Sequence, residues 1–152
     1  MKLIHYSLLV MFVFLTNTAY AQDNDKFSKI EDFHERKWQI LVTQAQLSPK
    51  EEENVKPVFI EHENLTWKLH KDNHDFFKSA LKNAKNVKPD YTALNDRYIE
   101  NEFKEAQLSK IYHLKLRKML DPETLFRYYK AERDFKRKLL HDLQDNKQHD
   151  KH

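Results

Sequence analysis

The chain has 152 residues, enough for one domain, and it contains no glycine, no cysteine and only four prolines. Without glycine, tight hairpins and bulges that need positive φ are hard to build, and ten Phe, seven Tyr and two Trp still supply apolar surface, so the composition favours a helical fold. The net charge of +3 is too close to balance to indicate a nucleic-acid partner.

Residues 1–21 have the features of a secretory signal peptide. Lys2 gives a short basic start, residues 8–15 are an unbroken apolar run, and small residues precede a cleavage site between Ala21 and Gln22. The run is well short of the ~20 residues that a membrane-spanning helix needs. We therefore expect a periplasmic protein with no integral membrane segment after cleavage.

The first two helices are predicted from apolar residues at steps of three and four. The first covers about 26–46, and the second begins at Ser48 and ends near Ala84. Pro57 lies inside the second helix, where a kink is expected. The first stripe contains Phe27, Ile30, His34, Trp38, Leu41 and Ala45, and the second contains Val55, Phe59, His62, Leu65, Leu69, Phe76 and Ala80.

The third and fourth helices follow the loop "KNAKNVKPD". Asp90 is a candidate N-cap for the third, and the fourth begins at Asp121 and ends near Leu143. Residues 147–152 read as a polar tail, which leaves one helical domain over 22–146. The apolar positions of the third helix are Tyr91, Leu94, Tyr98, Ile99, Phe103, Ala106, Ile111 and Leu114.

Two similar phrases, "LSPKE" and "LDPET", stand where the second and fourth helices begin. In the first, Ser48 is an N-cap, Pro49 occupies the first helical position, and Glu51 completes a capping box. In the second, Asp121 is the cap and Pro122 takes the first position. Both phrases therefore predict a sharp helix start.

The residue before each cap is a leucine, Leu47 in one phrase and Leu120 in the other, as in a hydrophobic staple. Each phrase ends one helix and begins the next with almost no loop. The sequence therefore predicts an all-α fold of two long helical hairpins.

This arrangement resembles the Spy/CpxP envelope proteins, known for an LTxxQ motif, and in particular the branch labelled periplasmic heavy-metal sensor or sensor of ECF-type sigma factor. The resemblance covers about residues 27–143 and is carried by "HERKWQILVTQAQLSPKEEENVKPVFIEHE" and "LDPETLFRYYKAERDFKRKLL". The chain departs from the motif at its fifth residue, which is Glu51 in one phrase and Thr124 in the other.

The resemblance implies a thin, curved four-helix bundle, often a homodimer, that works without ATP. It implies a chaperone-like holdase for unfolded envelope proteins, or an accessory of envelope-stress or sigma-factor signalling. Zinc-responsive relatives imply an alternative, a histidine-based sensor of zinc or copper. We expect no enzyme, because no Ser/His/Asp arrangement, glycine-rich phosphate loop or cysteine site occurs.

Three histidines on the second helix are the candidate metal ligands. His70 and His74 are four residues apart and share a helix face, and His62 lies two turns earlier. A third or fourth ligand would come from Asp75, Glu63 or a histidine of a second copy. The alternative is that these histidines are solvated polar positions with no ligand, and no other cofactor is expected.

Aromatic and basic residues mix near the ends of the second and fourth helices. Such residues suit loose binding of apolar segments of other proteins, with attraction to acidic ones. The alternative is that they form an intramolecular or dimer core. The candidate protein-binding face contains Phe76, Phe77, Phe126, Tyr129 and Arg133.

Overall fold

The structure, a computed structural model, describes residues 30–82 and 87–149. These residues form four helices and no strand, which confirms the all-α prediction. The predicted signal peptide and the last three residues of the predicted tail lie outside the described residues. The helices are α1 over residues 30–45, α2 over Pro49–Lys82, α3 over Tyr91–Leu116 and α4 over Pro122–His149.

One helix, α4, differs in detail from its expected end. Helix α2 continues through Pro57 to Lys82, and the kink expected at that proline stays a prediction. Helix α4 continues to His149, three residues into the predicted polar tail. The cap of α3 is Asp90, whose carboxylate accepts a 3.0 Å hydrogen bond from the Ala93 amide.

The chain divides into two compact units, Met1–Lys37 and Trp38–His152. In the first unit the described residues are helical, and His34 is buried at 5% exposure, as its place on the apolar stripe predicts. The second unit contains the end of α1 and the other three helices. The single domain predicted over 22–146 stays a prediction.

Within the second unit, α2 and α3 pack along their length. Their contacts pair Glu61 with Lys115 and Asn73 with Arg97, so the two helices are antiparallel. The packing of α2 on α3 therefore occurs across the loop that joins these two helices.

The two proline turns are residues 46–48, before Pro49, and residues 117–121, before Pro122. One hydrophobic core lies where these two turns meet. Leu47 and Leu120, the residues before the two caps, both belong to it. The indole of Trp38 packs on the ring of Phe59 with centroids 5.2 Å apart. The core contains Trp38, Leu41, Ala45, Leu47, Val55, Phe59, Tyr112, Leu116, Leu120, Leu125, Tyr128 and Ala131.

Helix α3 buries a different face from the one its apolar pattern suggests. Leu94 is the only residue of that pattern that is buried, and Asn101, Tyr112 and Leu116 complete the buried face. The remaining apolar residues of the pattern are exposed. Apolar residues occur on both sides of α3, so periodicity alone does not identify the side that meets α2.

Away from the core, polar side chains also join α2 to α3. Arg97 Nε donates to Asn73 Oδ1 at 3.4 Å, and His70 Nε2 lies 3.8 Å from Glu105 Oε1. Asn101 is buried on the same face of α3, and its Oδ1 has no hydrogen-bond partner. This end of the hairpin therefore combines polar contacts with the buried Leu94 and the half-buried Leu69 and Phe77.

Candidate functional site

The first proline turn begins α2 with a reciprocal set of hydrogen bonds. The Ser48 amide donates to Glu51 Oε2 at 2.8 Å, and the Ser48 hydroxyl donates to the same oxygen at 2.6 Å. In return, the Glu51 amide lies 3.4 Å from Ser48 Oγ. This capping box satisfies two backbone amides that the helix leaves unpaired.

The second proline turn also pairs two backbone amides at a helix start, and it has Thr124 at the position of the motif's Glu or Gln. Asp121 Oδ1 accepts hydrogen bonds from the amides of Glu123 at 2.9 Å and Thr124 at 3.1 Å. The Thr124 hydroxyl donates to Asp121 Oδ2 at 2.6 Å. This hydroxyl, followed by the two amides, lowers the pKa of Asp121 below its usual value of 3.8.

At the end of α1, a glutamine occupies a backbone position where glycine is usual. Gln46 adopts a left-handed conformation, with φ at 57°, and the Leu47 amide donates to the Val42 carbonyl oxygen at 3.1 Å. This is a Schellman motif, in which glycine is the usual residue at the left-handed position. A glutamine there carries a steric cost that glycine would avoid.

Arg127 connects the two proline turns, a role that the LTxxQ motif does not predict. Its Nε donates to the Ala45 carbonyl oxygen at 3.0 Å, at the end of α1. Its terminal nitrogens donate to Glu123 Oε1 at 2.7 Å and Thr124 Oγ1 at 2.8 Å, at the start of α4. The Glu–Arg spacing of four was the only sequence signal for this residue, and it predicts the pair on α4 alone.

Two tyrosines join α3 to α4 inside the core. The hydroxyl oxygens of Tyr112 and Tyr128 are 2.6 Å apart, and both residues are buried. Burial, with the nearby charge of Glu132, raises the pKa of both hydroxyls far above the usual 10. Both tyrosines are therefore neutral donors and acceptors at any physiological pH.

The predicted face residue Tyr129 belongs to this same region. Its hydroxyl lies 2.9 Å from His113 Nδ1, and its ring packs against the core. Burial raises the pKa of Tyr129 to about 12. Tyr129 therefore contributes to the α3–α4 contact.

The three candidate metal ligands have different surroundings. The His62 ring stacks on Tyr112 with centroids 4.1 Å apart, whereas His70 faces Glu105 and His74 is exposed. Over residues 30–82 and 87–149, no three histidine, cysteine, aspartate or glutamate side chains come together in a group that could hold a metal ion. The zinc or copper site stays a prediction.

Phe126 and Arg133 lie on the solvent-facing side of α4. Phe126 is 63% exposed, and the exposed Lys130 and Arg133 follow it at four and seven residues, on the same face of the helix. Arg137 continues the row and pairs with Asp134 at 2.7 Å. We call Phe126, Lys130, Arg133 and Arg137 the α4 stripe.

The other two predicted face residues lie near the end of α2. The rings of Phe76 and Phe77 meet edge to face, with centroids 5.6 Å apart. The guanidinium carbon of Arg97 lies 5.2 Å from the centroid of Phe76, a cation–π contact. The predicted face thus occupies two places, one on α4 and one on the α2–α3 hairpin.

A small groove of 180 Å³ opens between α2 and α3. His62 and Tyr112 form part of its wall, and the ion pair of Glu61 and Lys115 lies at its edge. Leu65 and Ile111, which also line it, are exposed. The groove has room for one apolar side chain.

Large apolar side chains are exposed along all three fully described helices. Within the described ranges, fourteen large apolar side chains are at least 37% exposed, and all but Val87 and Met119 lie on these helices. The helices of the described part of the chain are all too polar or too short to span a lipid bilayer. The exposed set is Leu65, Trp67, Phe76, Leu81, Val87, Tyr91, Tyr98, Ile99, Phe103, Ile111, Leu114, Met119, Phe126 and Leu140.

Comparison with known proteins identifies no relative of this chain. No family model, no curated protein and no solved structure matches it. The resemblance to the Spy/CpxP proteins therefore stays a prediction from the two phrases, and the functional argument depends on the residues themselves.

Proposed function

We propose that this chain is an exported, non-enzymatic protein that binds apolar segments of other proteins in the periplasm. It acts as an ATP-independent, chaperone-like holdase of the Spy/CpxP type, or as an accessory of envelope-stress or sigma-factor signalling. Its partners are unfolded envelope proteins or a signalling component, and it acts as a homodimer.

The observation that carries this proposal is the α4 stripe, where an exposed aromatic ring is followed by basic groups. Large aromatic side chains exposed beside polar ones are typical of protein-binding surfaces. Lys130 and Arg133 are both exposed, and neither has an acidic partner among the described residues. Their charge is therefore available to attract acidic segments of a partner.

The spread of exposed apolar residues supports weak binding to many sequences more than tight binding to one. Most of these residues lie on α2, α3 and α4, and they do not line a single deep pocket. Single exposed contacts each contribute little, so a bound segment exchanges readily. Such behaviour suits a holdase that needs no nucleotide for release.

An aggregation assay tests the holdase. The chain without its predicted signal peptide is mixed in excess with a chemically unfolded model protein, and light scattering follows aggregation on dilution. We expect the native chain to reduce scattering and Arg133→Glu to reduce it less. Lys68→Glu makes the same charge change at an exposed position of α2 and serves as the control.

Unchanged aggregation in the presence of excess native chain would show that the holdase form is wrong. The signalling form is then tested in cells, by measuring envelope-stress transcription with and without the gene. An identical response in both strains would exclude that form as well.

A further inference from the structure

The end of the α2–α3 hairpin carries the most exposed large apolar side chain of the described ranges. Val87 is 69% exposed, and Leu81 and Tyr91 are 52% and 56% exposed. Because α2 and α3 are antiparallel, the last turn of α2 and the first turn of α3 lie at this same end. We call Leu81, Lys82, Val87, Lys88 and Tyr91 the hairpin tip.

The surroundings of the hairpin tip are basic. Residues 76–95 contain four lysines and one acid, Asp90, so their net charge of +3 equals the net charge of the whole chain. Lys82 and Lys88 are exposed, and neither forms an ion pair with another described residue. The Asp90 carboxylate already caps α3, where it accepts a hydrogen bond from the Ala93 amide.

The hairpin is packed directly behind the tip. Leu94, one turn after Tyr91, is buried, and the Phe76 ring contacts both Phe77 and the guanidinium group of Arg97. The exposed apolar side chains of the tip therefore extend beyond a packed base and take no part in it.

We propose that the hairpin tip binds the surface of an anionic lipid bilayer. Apolar side chains such as Leu81 and Val87 enter the boundary between headgroups and acyl chains, and a tyrosine such as Tyr91 is typical of that boundary. Lysines beside them keep their apolar stems in the same layer and extend their charges to the lipid phosphates. The tip thus matches an anionic bilayer in both polarity and charge.

The position of these residues favours a bilayer over a protein segment as the partner. A protein segment buries its side chains in a groove or against a broad face, whereas the tip is the end of two helices. A bilayer accepts such an end with only a few apolar side chains. The inference goes beyond the proposed function and does not depend on it, because the α4 stripe lies on another helix.

Sedimentation with vesicles tests the role of charge. The chain without its predicted signal peptide is mixed with vesicles of phosphatidylcholine, alone or with phosphatidylglycerol. We expect binding to the vesicles that contain phosphatidylglycerol, and a loss of binding at high salt. Lys82→Gln/Lys88→Gln should weaken this binding more than tenfold, at about fivefold per lysine. Lys68→Gln/Lys110→Gln removes the same charge at exposed positions away from the tip and should change it little.

A second pair of variants tests the apolar contribution. Leu81→Ser/Val87→Ser should weaken binding to the same vesicles although the charge is unchanged. Ile99→Ser/Ile111→Ser is the matched control, at positions that are 62% and 53% exposed on α3. Circular dichroism confirms that all variants are folded. Equal losses in the tip variants and in their controls would overturn the inference.

A fluorescent label shows which part of the chain meets the lipid. The native chain has no cysteine, so Val87→Cys and Leu114→Cys each carry one label whose emission depends on polarity. Position 114 is about 35 Å along α3 from Tyr91. We expect the emission to shift to the blue on phosphatidylglycerol vesicles for the label at 87 and not for the label at 114.

Three other results would overturn the inference. They are no binding to phosphatidylglycerol vesicles, equal binding to phosphatidylcholine alone, and a label at 114 that responds as strongly as the label at 87. A chain that ignores vesicles but loses its protection against aggregation in Leu81→Ser/Val87→Ser would show that the partner of the tip is a protein. Failure of the holdase assay, in contrast, leaves the vesicle result unaffected.

Discussion

The hydroxyl oxygens of Tyr112 and Tyr128 lie 2.6 Å apart in the core, where each is the other's hydrogen-bond partner. This pair connects α3 to α4 at the end of the molecule where the proline turns meet. Because both hydroxyls are buried, removal of one leaves the other without a partner.

We therefore expect Tyr112→Phe or Tyr128→Phe alone to lower the free energy of unfolding by about 1–3 kcal/mol. The double variant should lose less than the sum of the two, because no unpaired hydroxyl remains. Urea unfolding followed by circular dichroism measures all three. Additive losses would mean that the two hydroxyls do not depend on each other. Tyr91→Phe, at an exposed position, is the control.

The loss of unfolding free energy at acid pH should depend on Asp121. Its pKa is lowered from 3.8, first by the Thr124 hydroxyl, so its contribution to stability is present above that value. As the pH falls through the lowered pKa, protonation removes this contribution. Asp121→Asn keeps a capping oxygen but does not titrate, so its unfolding free energy should fall less between neutral and acid pH.

Thr124→Val tests the cause of that shift, because it removes the hydroxyl that donates to Asp121 Oδ2. We expect an acid dependence intermediate between the native chain and Asp121→Asn, measured by thermal unfolding across the same pH range. An acid dependence equal to that of the native chain in both variants would contradict the assignment.

The left-handed residue at the end of α1 offers a stabilising change. Gln46→Gly should raise the free energy of unfolding by about 1 kcal/mol, because glycine adopts positive φ without a steric cost. Gln44→Gly makes the same change two residues earlier, inside the helix, and should lower it by about 1 kcal/mol. Denaturant unfolding of the pair should therefore show opposite signs, and equal signs would contradict the left-handed conformation.

The alternative of a zinc or copper sensor is tested on His70 and His74. His70 lies 3.8 Å from Glu105 and one turn from His74, but no three ligand-type side chains form a group in the described part of the chain, so we expect no tight site on one copy. Isothermal titration with zinc and with copper should therefore give the same isotherm for the native chain and His70→Ala/His74→Ala. A tight isotherm that disappears in the double variant would establish the sensor instead.

The helix starts could be predicted from the sequence because they depend on neighbouring residues alone. Ser48 and Glu51 are three positions apart and form their hydrogen bonds locally, and Asp90 caps α3 in the same way. Thr124 was a departure from the motif, and its hydroxyl donates a hydrogen bond to the cap residue Asp121, whereas Glu51 accepts hydrogen bonds from the cap residue Ser48. Local chemistry of this kind needs no knowledge of the tertiary fold.

The buried side of α3 could not be predicted, because it depends on which face meets α2. Ile99 and Phe103 are as apolar as the residues that become buried, whereas the polar Asn101 lies inside. Arg127 was missed for the same reason, since its partner Ala45 is 82 residues away in the sequence. The α4 stripe could be predicted in part, because Phe126 and Arg133 share a face by spacing alone.

The polar contact between α2 and α3 has a consequence for motion. Separation of the helices near Asn73 and Arg97 leaves the hydrophobic core intact, because α3 contributes only Tyr112 and Leu116 to that core, so it requires less free energy than separation at the proline turns. Amide protons at this end of the hairpin should exchange with solvent first, and those around Leu116 and Leu120 last. We therefore expect the end of the hairpin near Asn73 to open before the end near Leu116.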